Sequence, residues 1–404
     1  MRLSGFCVLC ALCGLITDST AEEAEERRKT DQSVKETLFE DIASAPSSYG
    51  SIHLNKDEFV AALDELTSLD EINSLRKKTG ELKRLIASSG SAPSINEESN
   101  GHYLVLRSDV LTSELDQILE ARTIERAQYY VKRLARGVKK VKTSQINDIN
   151  LNRWKEHTDI ITDSLWVLSR RDTTGAHLGW YWGNFIPQIP RQLMLRYTKK
   201  NDWVLDPFAG SGTTLIECRS LGRNGIGIDL NGDVAKRAEE LVSGEKNRHK
   251  IKTEIVTGDA RTVNVRKMLD GLGVNQVQLL VMHPPYHDII SFSDDDKDLS
   301  NAASTEQFLT MFGEVLDNIG PALERGRYFA LVIGDKYSKG EWVPLGFYCM
   351  NEVLKRDYSL KSIVVKNFEE TRAKRDQKQL WRYRALVGGF YIFKHEYIFI
   401  FKKR

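Results

Sequence analysis

Residues 277–286, Val-Gln-Leu-Leu-Val-Met-His-Pro-Pro-Tyr, carry an apolar run that ends on a histidine, two prolines and a tyrosine. Each proline lacks a backbone N–H and fixes φ, so the chain cannot continue as a strand there. A stiff element must therefore sit just past the C-terminal end of a buried strand. A second constellation lies upstream, in DWVLDPFAGSGTTLIECRSLGRNGIGIDLN, residues 202–231. There a strand ends at Asp206, a turn runs through Gly210 and Gly212, and Thr213 and Thr214 open a helix. A second strand then ends at Asp229, and a third ends in Thr-Gly-Asp-Ala, at Asp259 and Ala260. In doubly wound folds a ligand lies across such strand ends, and the acid closing the second strand accepts hydrogen bonds from ribose hydroxyls. The turn lacks G-x-G-x-x-G spacing, and a carboxylate at Asp206 would repel a pyrophosphate. It suits a cationic ligand, such as one with an α-amino group, while Asp259 is placed to read an adenine amino group. Each acid alone also reads as a helix cap or turn residue. Acids at three successive strand ends point to a binding site.

Elements able to hold these residues are visible from about residue 161 to 404. WVLDPF, GIGIDL, KIKTEIVTGD, VQLLVMHPP, YFALVIGDK and SIVVKNF read as strands. AGSGTTLIECRSLG, DVAKRAEELVSG and TEQFLTMFGEVLDNIGPALE lie between them as helices. This alternation predicts an α/β fold, a doubly wound, Rossmann-like sheet with mostly parallel strands. GFYIFKHEYIFIFKK, with Lys394 and His395 between two apolar runs, predicts an antiparallel hairpin at one edge of the sheet. Residues 22–160 are charged, poor in glycine and mainly helical in pattern, with breaks at SAPSSYGS and SSGSAPSINEESNG. Their helix at LDQILEARTIERAQYYVKRLARGVKKVK ends in Arg133, Arg136, Lys139, Lys140 and Lys142. That tail reads as a solvated face or as an arm on phosphates.

DPFAGSGTT resembles the S-adenosylmethionine loop of the amino-methylating DNA methyltransferases, the N4-cytosine/N6-adenine family. HPPY resembles that family's (D/N/S)-P-P-(Y/F/W) tetrapeptide, and GNFIPQIPRQLMLRYT is similar to the segment that folds over the methionine end of the cofactor. The terminal FYIFKHEYIFIFKK looks like the hairpin ending many of these domains. The resemblance covers roughly residues 161–404, the expected methyltransferase domain.

It implies S-adenosyl-L-methionine as cofactor. Asp206, Phe208, Gly210, Gly212 and Thr213 would line its methionine side, Asp229 and Leu230 its ribose, and Asp259 and Ala260 its adenine. Phe185, Ile186, Pro187 and Gln188 would close the pocket. The implied reaction moves a methyl group to cytosine N4 or adenine N6 of a flipped DNA base. Such an amine is a poor nucleophile because its lone pair is delocalised into the ring. A side-chain acceptor at His283 and the carbonyl of Pro284 would grip its N–H groups. Pro285 keeps the element rigid and Tyr286 stacks on the base. His283 departs from the family's Asp, Asn or Ser. Neutral imidazole can accept a hydrogen bond and imidazolium cannot. Activity is thus expected to drop as pH falls through ~6.5, the ordinary histidine value.

Downstream, HDIISFSDDDKDLSN reads as a lid or as a solvated loop. ETRAKRDQKQLWRYR gathers Arg372, Lys374, Arg375, Lys378, Arg382 and Arg384 around Trp381, a composition suited to phosphates and unstacked bases. Target reading is expected from the helical region or from loops. An RNA-base or protein-glutamine methyltransferase, or a non-catalytic nucleic-acid-binding protein with His283 as its lesion, are the competing readings.

Bulk composition neither adds to this nor opposes it. Lys plus Arg total 58 and Asp plus Glu 56 in 404 residues, so any nucleic-acid surface must arise from local clustering. Residues 1–21 form an apolar segment too short for a spanning helix, read as a secretory leader or a mis-assigned start. Cys7, Cys10 and Cys13 within it have metal-like spacing without an evident fourth ligand, and no metal is expected. Cys218 and Cys349 stand apart, which fits a reducing compartment. The expected setting is cytoplasmic, with DNA as substrate, a restriction-modification partner and no membrane.

Overall fold

The computed structural model describes residues 50–88, 103–338, 340–367 and 378–404, all within one compact unit. The residues of the apolar segment 1–21, with Cys7, Cys10 and Cys13, lie outside the described residues, as do Arg372, Lys374 and Arg375.

The chain first builds an antiparallel ribbon of β1 (Ser51–Asn55) with β2 (Tyr103–Arg107). Two helices, α1 (Lys56–Thr67) and α2 (Ile72–Ser88), lie between these strands in sequence, and α3 (Ser108–Glu120) and α4 (Ile124–Lys139) follow. Asn55 caps α1 by accepting from the N–H groups of Asp57 and Glu58, and Thr123 caps α4 through Arg126 N at 3.3 Å. α4 buries Ala127, Val131, Ala135 and Val138, spaced by three and four residues, in a cluster with Phe59, Leu63 and Leu115. Its basic tail is partly spent within this bundle. Arg133 donates to Glu114 at 2.5 Å and to Gln117 at 2.9 Å, and Lys139 pairs with Asp64.

Residues 140–187 then cross to the second half with little regular structure beyond a 3-10 turn at Leu151–Glu156 and β3 (Leu165–Trp166). Polar clips fix this strap. Asn147 Nδ2 donates to the carbonyl of Arg196 at 2.8 Å, and Arg327 donates to that of Ile146 at 3.3 Å.

The second half runs α5 (Gln188–Tyr197), β4 (Trp203–Asp206), α6 (Thr213–Leu221), β5 (Asn224–Asp229), α7 (Gly232–Gly244), β6 (Thr253–Thr257), α8 (Val265–Leu272) and β7 (Val277–Met282). It continues as α9 (Thr305–Ile319), β8 (Leu323–Ile333), the small pair β9 (Lys336–Ser338) and β10 (Glu341–Val343), α10 (Leu345–Leu354), β11 (Tyr358–Asn367), α11 (Lys378–Gly388) and β12 (His395–Lys403). Eight strands form one sheet in the order β3-β11-β12-β8-β7-β4-β5-β6. β6, β5, β4, β7 and β8 are parallel along it, and β12 is antiparallel to both neighbours, β8 and β11. This is the doubly wound, Rossmann-like α/β sheet that the strand and helix alternation predicts.

The central strands are buried on both faces, as a covered parallel sheet requires. Along β7, Leu279 and Val281 pack into one apolar cluster with Ile189 and Leu193 of α5. Leu280 and Met282 pack into the other, with Phe308 and Phe312 of α9. All four β7 side chains are 0% exposed, so the two-residue period of the strand is fixed by packing on both sides.

The C-terminal antiparallel pairing is present, but its arms differ from the expected hairpin. The first apolar run, Phe390–Phe393, is not a strand; Gly389 before it takes φ +65°. β12 instead pairs with β11, thirty residues earlier in the chain, and is inserted between β11 and β8, leaving β3 at the sheet edge. The reason is burial: Ile398, Phe399, Ile400 and Phe401 are at most 2% exposed and need cover from both faces and both neighbours.

The turn after β4 imposes one sharp backbone demand. Gly212 has φ +77°, and a Cβ there would lie 2.9 Å from Val242 Cγ2 of α7. Gly212→Ala combines a left-handed strain of about 1–3 kcal/mol with that overlap. It is expected to lower the thermal midpoint by scanning calorimetry, and an unchanged midpoint would refute this account of the turn.

Candidate active site

Because β4 lies between β5 and β7, the chain leaves it toward one side of the sheet and later returns on the other. The crevice at that reversal, beyond the C-terminal strand ends, is where ligands sit in open α/β sheets. Here it is a cavity of about 450 Å³ whose wall includes Phe208, Gly210, Asp229, Leu230, Asp259, Ala260 and all of His283–Tyr286.

Asp206, expected to line the methionine side of the cofactor, points inward and does not line the cavity. It is 0% exposed, and its oxygens accept from Phe208 N at 3.0 Å and Thr214 Oγ1 at 2.5 Å. Desolvation pushes its pKa up to about 6 against the pull of those hydrogen bonds. Its observed work is to brace the turn. Gly212 packs on α7, and the Thr213 hydroxyl donates to Asn184 Oδ1 at 2.8 Å, so neither of these lines the cavity.

Asp229 does face the cavity. Its two oxygens each accept one backbone N–H, from Gly210 and from Asn231, both at 2.9 Å. Each oxygen keeps lone-pair capacity for a ligand. Burial raises this carboxyl to about 6, and the charge of Asp298 on the facing loop adds to the shift. Asp259 also lines the cavity and holds Arg261 through Oδ2 at 2.9 Å.

The roof comes from two loops. Tyr181 of the segment before α5 stacks on Phe292 of the 287–301 loop, with ring centroids 5.7 Å apart at 27°. That acidic loop is folded on itself and forms a wall: Ser293 Oγ donates to Asp298 at 2.8 Å, and Asn301 donates to the carbonyls of Ser293 and Asp295. His177, 4% exposed, fastens the other loop to Glu217 of α6 at 2.8 Å. Phe185 and Ile186 line the cavity as expected, whereas Pro187 caps α5 and Gln188 turns away to donate to the carbonyl of Arg170 at 2.6 Å.

At the end of β7, His283 meets Phe185 edge-on, with centroids 4.9 Å apart at 73°. His283 Nε2 lies 3.3 Å from the Tyr286 hydroxyl, which donates to Glu396 Oε2 at 2.8 Å. Glu396 Oε1 is 3.2 Å from Lys366 Nζ, and the two residues face each other across the β11–β12 register. Desolvation lowers the His283 pKa to about 4; the Glu396 charge opposes this and Lys366 reinforces it. The expected loss of activity through ~6.5 is therefore corrected. The imidazole stays neutral, and able to accept a hydrogen bond, well below neutral pH.

Sequence reasoning missed Arg171, Asn184, Lys366 and Glu396, all of which line the cavity. Lys366 and Glu396 left only a weak signal, a charge bordering the apolar stretch of each of two strands. Arg171 and Asn184 left none, because they sit in irregular backbone. On the basic segment, Trp381, Arg382 and Arg384 lie on α11, with the Arg384 guanidinium 5.3 Å from the Trp381 ring centre, and Lys378 begins that helix. α11 is outside the cavity wall and exposes Tyr383, Leu386 and Val387. Among the described residues, no cluster of His, Cys, Asp or Glu could hold a metal, and no helix is long and apolar enough to cross a membrane.

A family model described as DNA methylase, of the N6/N4 methyltransferases, matches residues 89–240. The match includes the cofactor-type turn, starts well before residue 161 and ends before His283. Type II methyltransferase M.MjaII of Methanocaldococcus jannaschii is 47% identical over 69 residues, 16% of this chain and 13% of that protein. Type II methyltransferase M.Cfr9I of Citrobacter freundii is 34% identical over 82 residues, 20% of this chain and 26% of that protein. The chain thus spans between 13% and 26% of the length of these two relatives. The solved structure of TrmN from Thermus thermophilus aligns at a TM-score of 0.36 and 17% identity, over 55% of this chain and 49% of that one.

The raised Asp229 pKa gives a signed expectation. The resemblance puts a ribose diol on Asp229, and a diol donates best to the ionised carboxylate, so binding of S-adenosylhomocysteine by calorimetry should hold above pH 7. It should weaken by up to about tenfold per pH unit once pH falls below 6. Asp229→Asn should bind weakly at every pH; binding with wild-type affinity and slope would remove Asp229 from the site.

Proposed function

We propose that this chain, whose kinship is with the N6/N4 DNA methylases, transfers a methyl group from S-adenosylmethionine to an exocyclic amino group of a flipped DNA base, cytosine N4 or adenine N6. One observation carries the reading: the Gly210–Asp229 wall and the His283–Tyr286 element share a single cavity.

The cavity's polar groups suit that cofactor. Asp229 offers lone pairs to a ribose diol, and Asp259 with Ala260 lies where an adenine would be met. Arg171 is anchored to the Phe185 carbonyl at 2.9 Å, while its Nε and Nη2 are buried without a hydrogen-bond partner. A buried guanidinium left in this condition fits an anion, here the amino-acid carboxylate. When bound, the cofactor supplies a methyl group activated by the sulfonium, and no metal is required of the protein.

What remains for the chain is orientation and proton handling. The neutral His283 ring and the Pro284 carbonyl accept the two N–H groups of the target amine and draw its nitrogen toward a pyramidal shape. Pro284 and Pro285 supply no competing donor and hold that carbonyl in place. Tyr286, tethered by its hydroxyl and packed on Gly334, offers a fixed ring to the extruded base. Phe185, Tyr181 and Phe292 exclude water from the roof. The proton shed by the methylated nitrogen passes to His283 or to solvent. The basic segment of Arg372, Lys374, Arg375, Lys378, Trp381, Arg382 and Arg384 is the proposed contact to the DNA backbone. We place the reaction in the cytoplasm, consistent with the buried free thiols of Cys218 and Cys349. The Type II names of the relatives make a restriction endonuclease the proposed partner.

Host DNA from cells expressing the chain, digested to nucleosides and analysed by mass spectrometry, should contain N4-methylcytosine or N6-methyladenine. His283→Ala should lower kcat by about 10²–10⁴ with cofactor affinity preserved. Methyl transfer to RNA or protein alone, or transfer untouched by His283→Ala and Tyr286→Ala, would overturn the proposal.

A further inference from the structure

His283 presents a choice that the acidic or amide residues of related tetrapeptides do not, since a neutral imidazole accepts through only one of its two nitrogens. The hydrogen-bond chain behind it decides which. Glu396 and Lys366 face each other at 3.2 Å with their side chains only 4% and 6% exposed, a buried ion pair in which the carboxylate can only accept. The Tyr286 hydroxyl is 2.8 Å from the second Glu396 oxygen. A phenol has one proton, and this contact uses it. Tyr286 Oη therefore turns a lone pair toward His283 Nε2 at 3.3 Å, and the ring nitrogen must supply the hydrogen. The ring planes stand at 86°, and Phe185 holds the imidazole from another side.

We infer that Glu396 is a positioning residue for His283: acting through Tyr286, it fixes the Nε2–H tautomer and leaves Nδ1 as the nitrogen that accepts the target amine. This rests on the methyltransferase reading only for what Nδ1 accepts; the tautomer follows from the proton count alone. The arrangement parallels the way a metal-ligating or catalytic histidine is oriented by an acid behind it, here with a tyrosine interposed. It also gives a positive charge arriving on His283 a negative group two hydrogen bonds away. The tyrosine thereby has a second task besides presenting its face to a base.

The discriminating substitution is Glu396→Gln. A glutamine amide can donate to the Tyr286 oxygen, which frees the phenol proton for His283 Nε2 and drives the hydrogen on the ring to Nδ1. Nitrogen-15 NMR of histidine-labelled protein, with His283 assigned by its loss in His283→Ala, reads this directly. Wild type should show a pyrrole-like Nε2 and a pyridine-like Nδ1. Glu396→Gln should move His283 toward the reverse and lower kcat by about 10–100-fold, with KM for the cofactor unchanged. If Glu396→Gln does not fold, as judged by circular dichroism, Tyr286→Phe serves instead, and His283 should then lose its single tautomer.

A wild-type Nδ1 that is pyrrole-like would overturn the inference. So would a tautomer that neither substitution alters. The NMR result does not depend on turnover: if the protein methylated nothing while the tautomer behaved as stated, the enzymatic reading would fail and this one would stand.

Discussion

Strands β4 and β7 lie side by side and parallel, their inward side chains at 0% exposure, and the chain departs from them in opposite directions. Parallel neighbours end at the same edge of a sheet, so whatever follows each strand is delivered to the same place. The turn through Gly210 follows one and the His-Pro-Pro-Tyr element follows the other. Residues more than seventy positions apart in sequence thereby share one cavity without any direct bond between the two motifs. The register is held by side chains packed into clusters on both faces, and a slip of one residue would turn each of them toward the wrong cluster.

Around this crevice the chain buries several charges, and each has an identifiable compensation. Asp206 is braced by a hydroxyl and an amide, Asp229 by two amides, and Glu396 by Lys366 and the Tyr286 hydroxyl. Where the compensation is internal and complete, as at Asp206, the group serves the architecture of the turn. Where capacity is left over, as at Asp229 and at Arg171 Nε and Nη2, the group can still take a hydrogen-bond partner. This distinction separates acids that look alike in sequence, since Asp206 and Asp229 both end strands beside glycines.

The same accounting bears on His283, which stands where the tetrapeptide that this element resembles has an acid, amide or hydroxyl. In water it would be partly charged near neutrality and would present either nitrogen. Burial against Phe185 removes the charge, lowering its pKa to about 4, and the tyrosine–glutamate chain selects the nitrogen. The strand that supplies Glu396 is the antiparallel β12, which slots between β8 and β11. Its charge is thus carried into the sheet interior directly behind the tetrapeptide.

The sequence by itself determined the fold class and the strands whose ends carry the two motifs. All of these depend on local periodicity and on residue types, which are properties of contiguous chain. It could not place β12, because its neighbours are chosen by burial of Ile398–Phe401 and not by a turn. Nor could it show that Asp206 faces inward, that Gln188 turns from the pocket, or that Arg171 enters it from irregular backbone. The tertiary structure alone decided the ionisation and the tautomer of His283. Both are set by desolvation and by partners from β11 and β12, some eighty to over one hundred residues downstream, which come together only when the sheet closes.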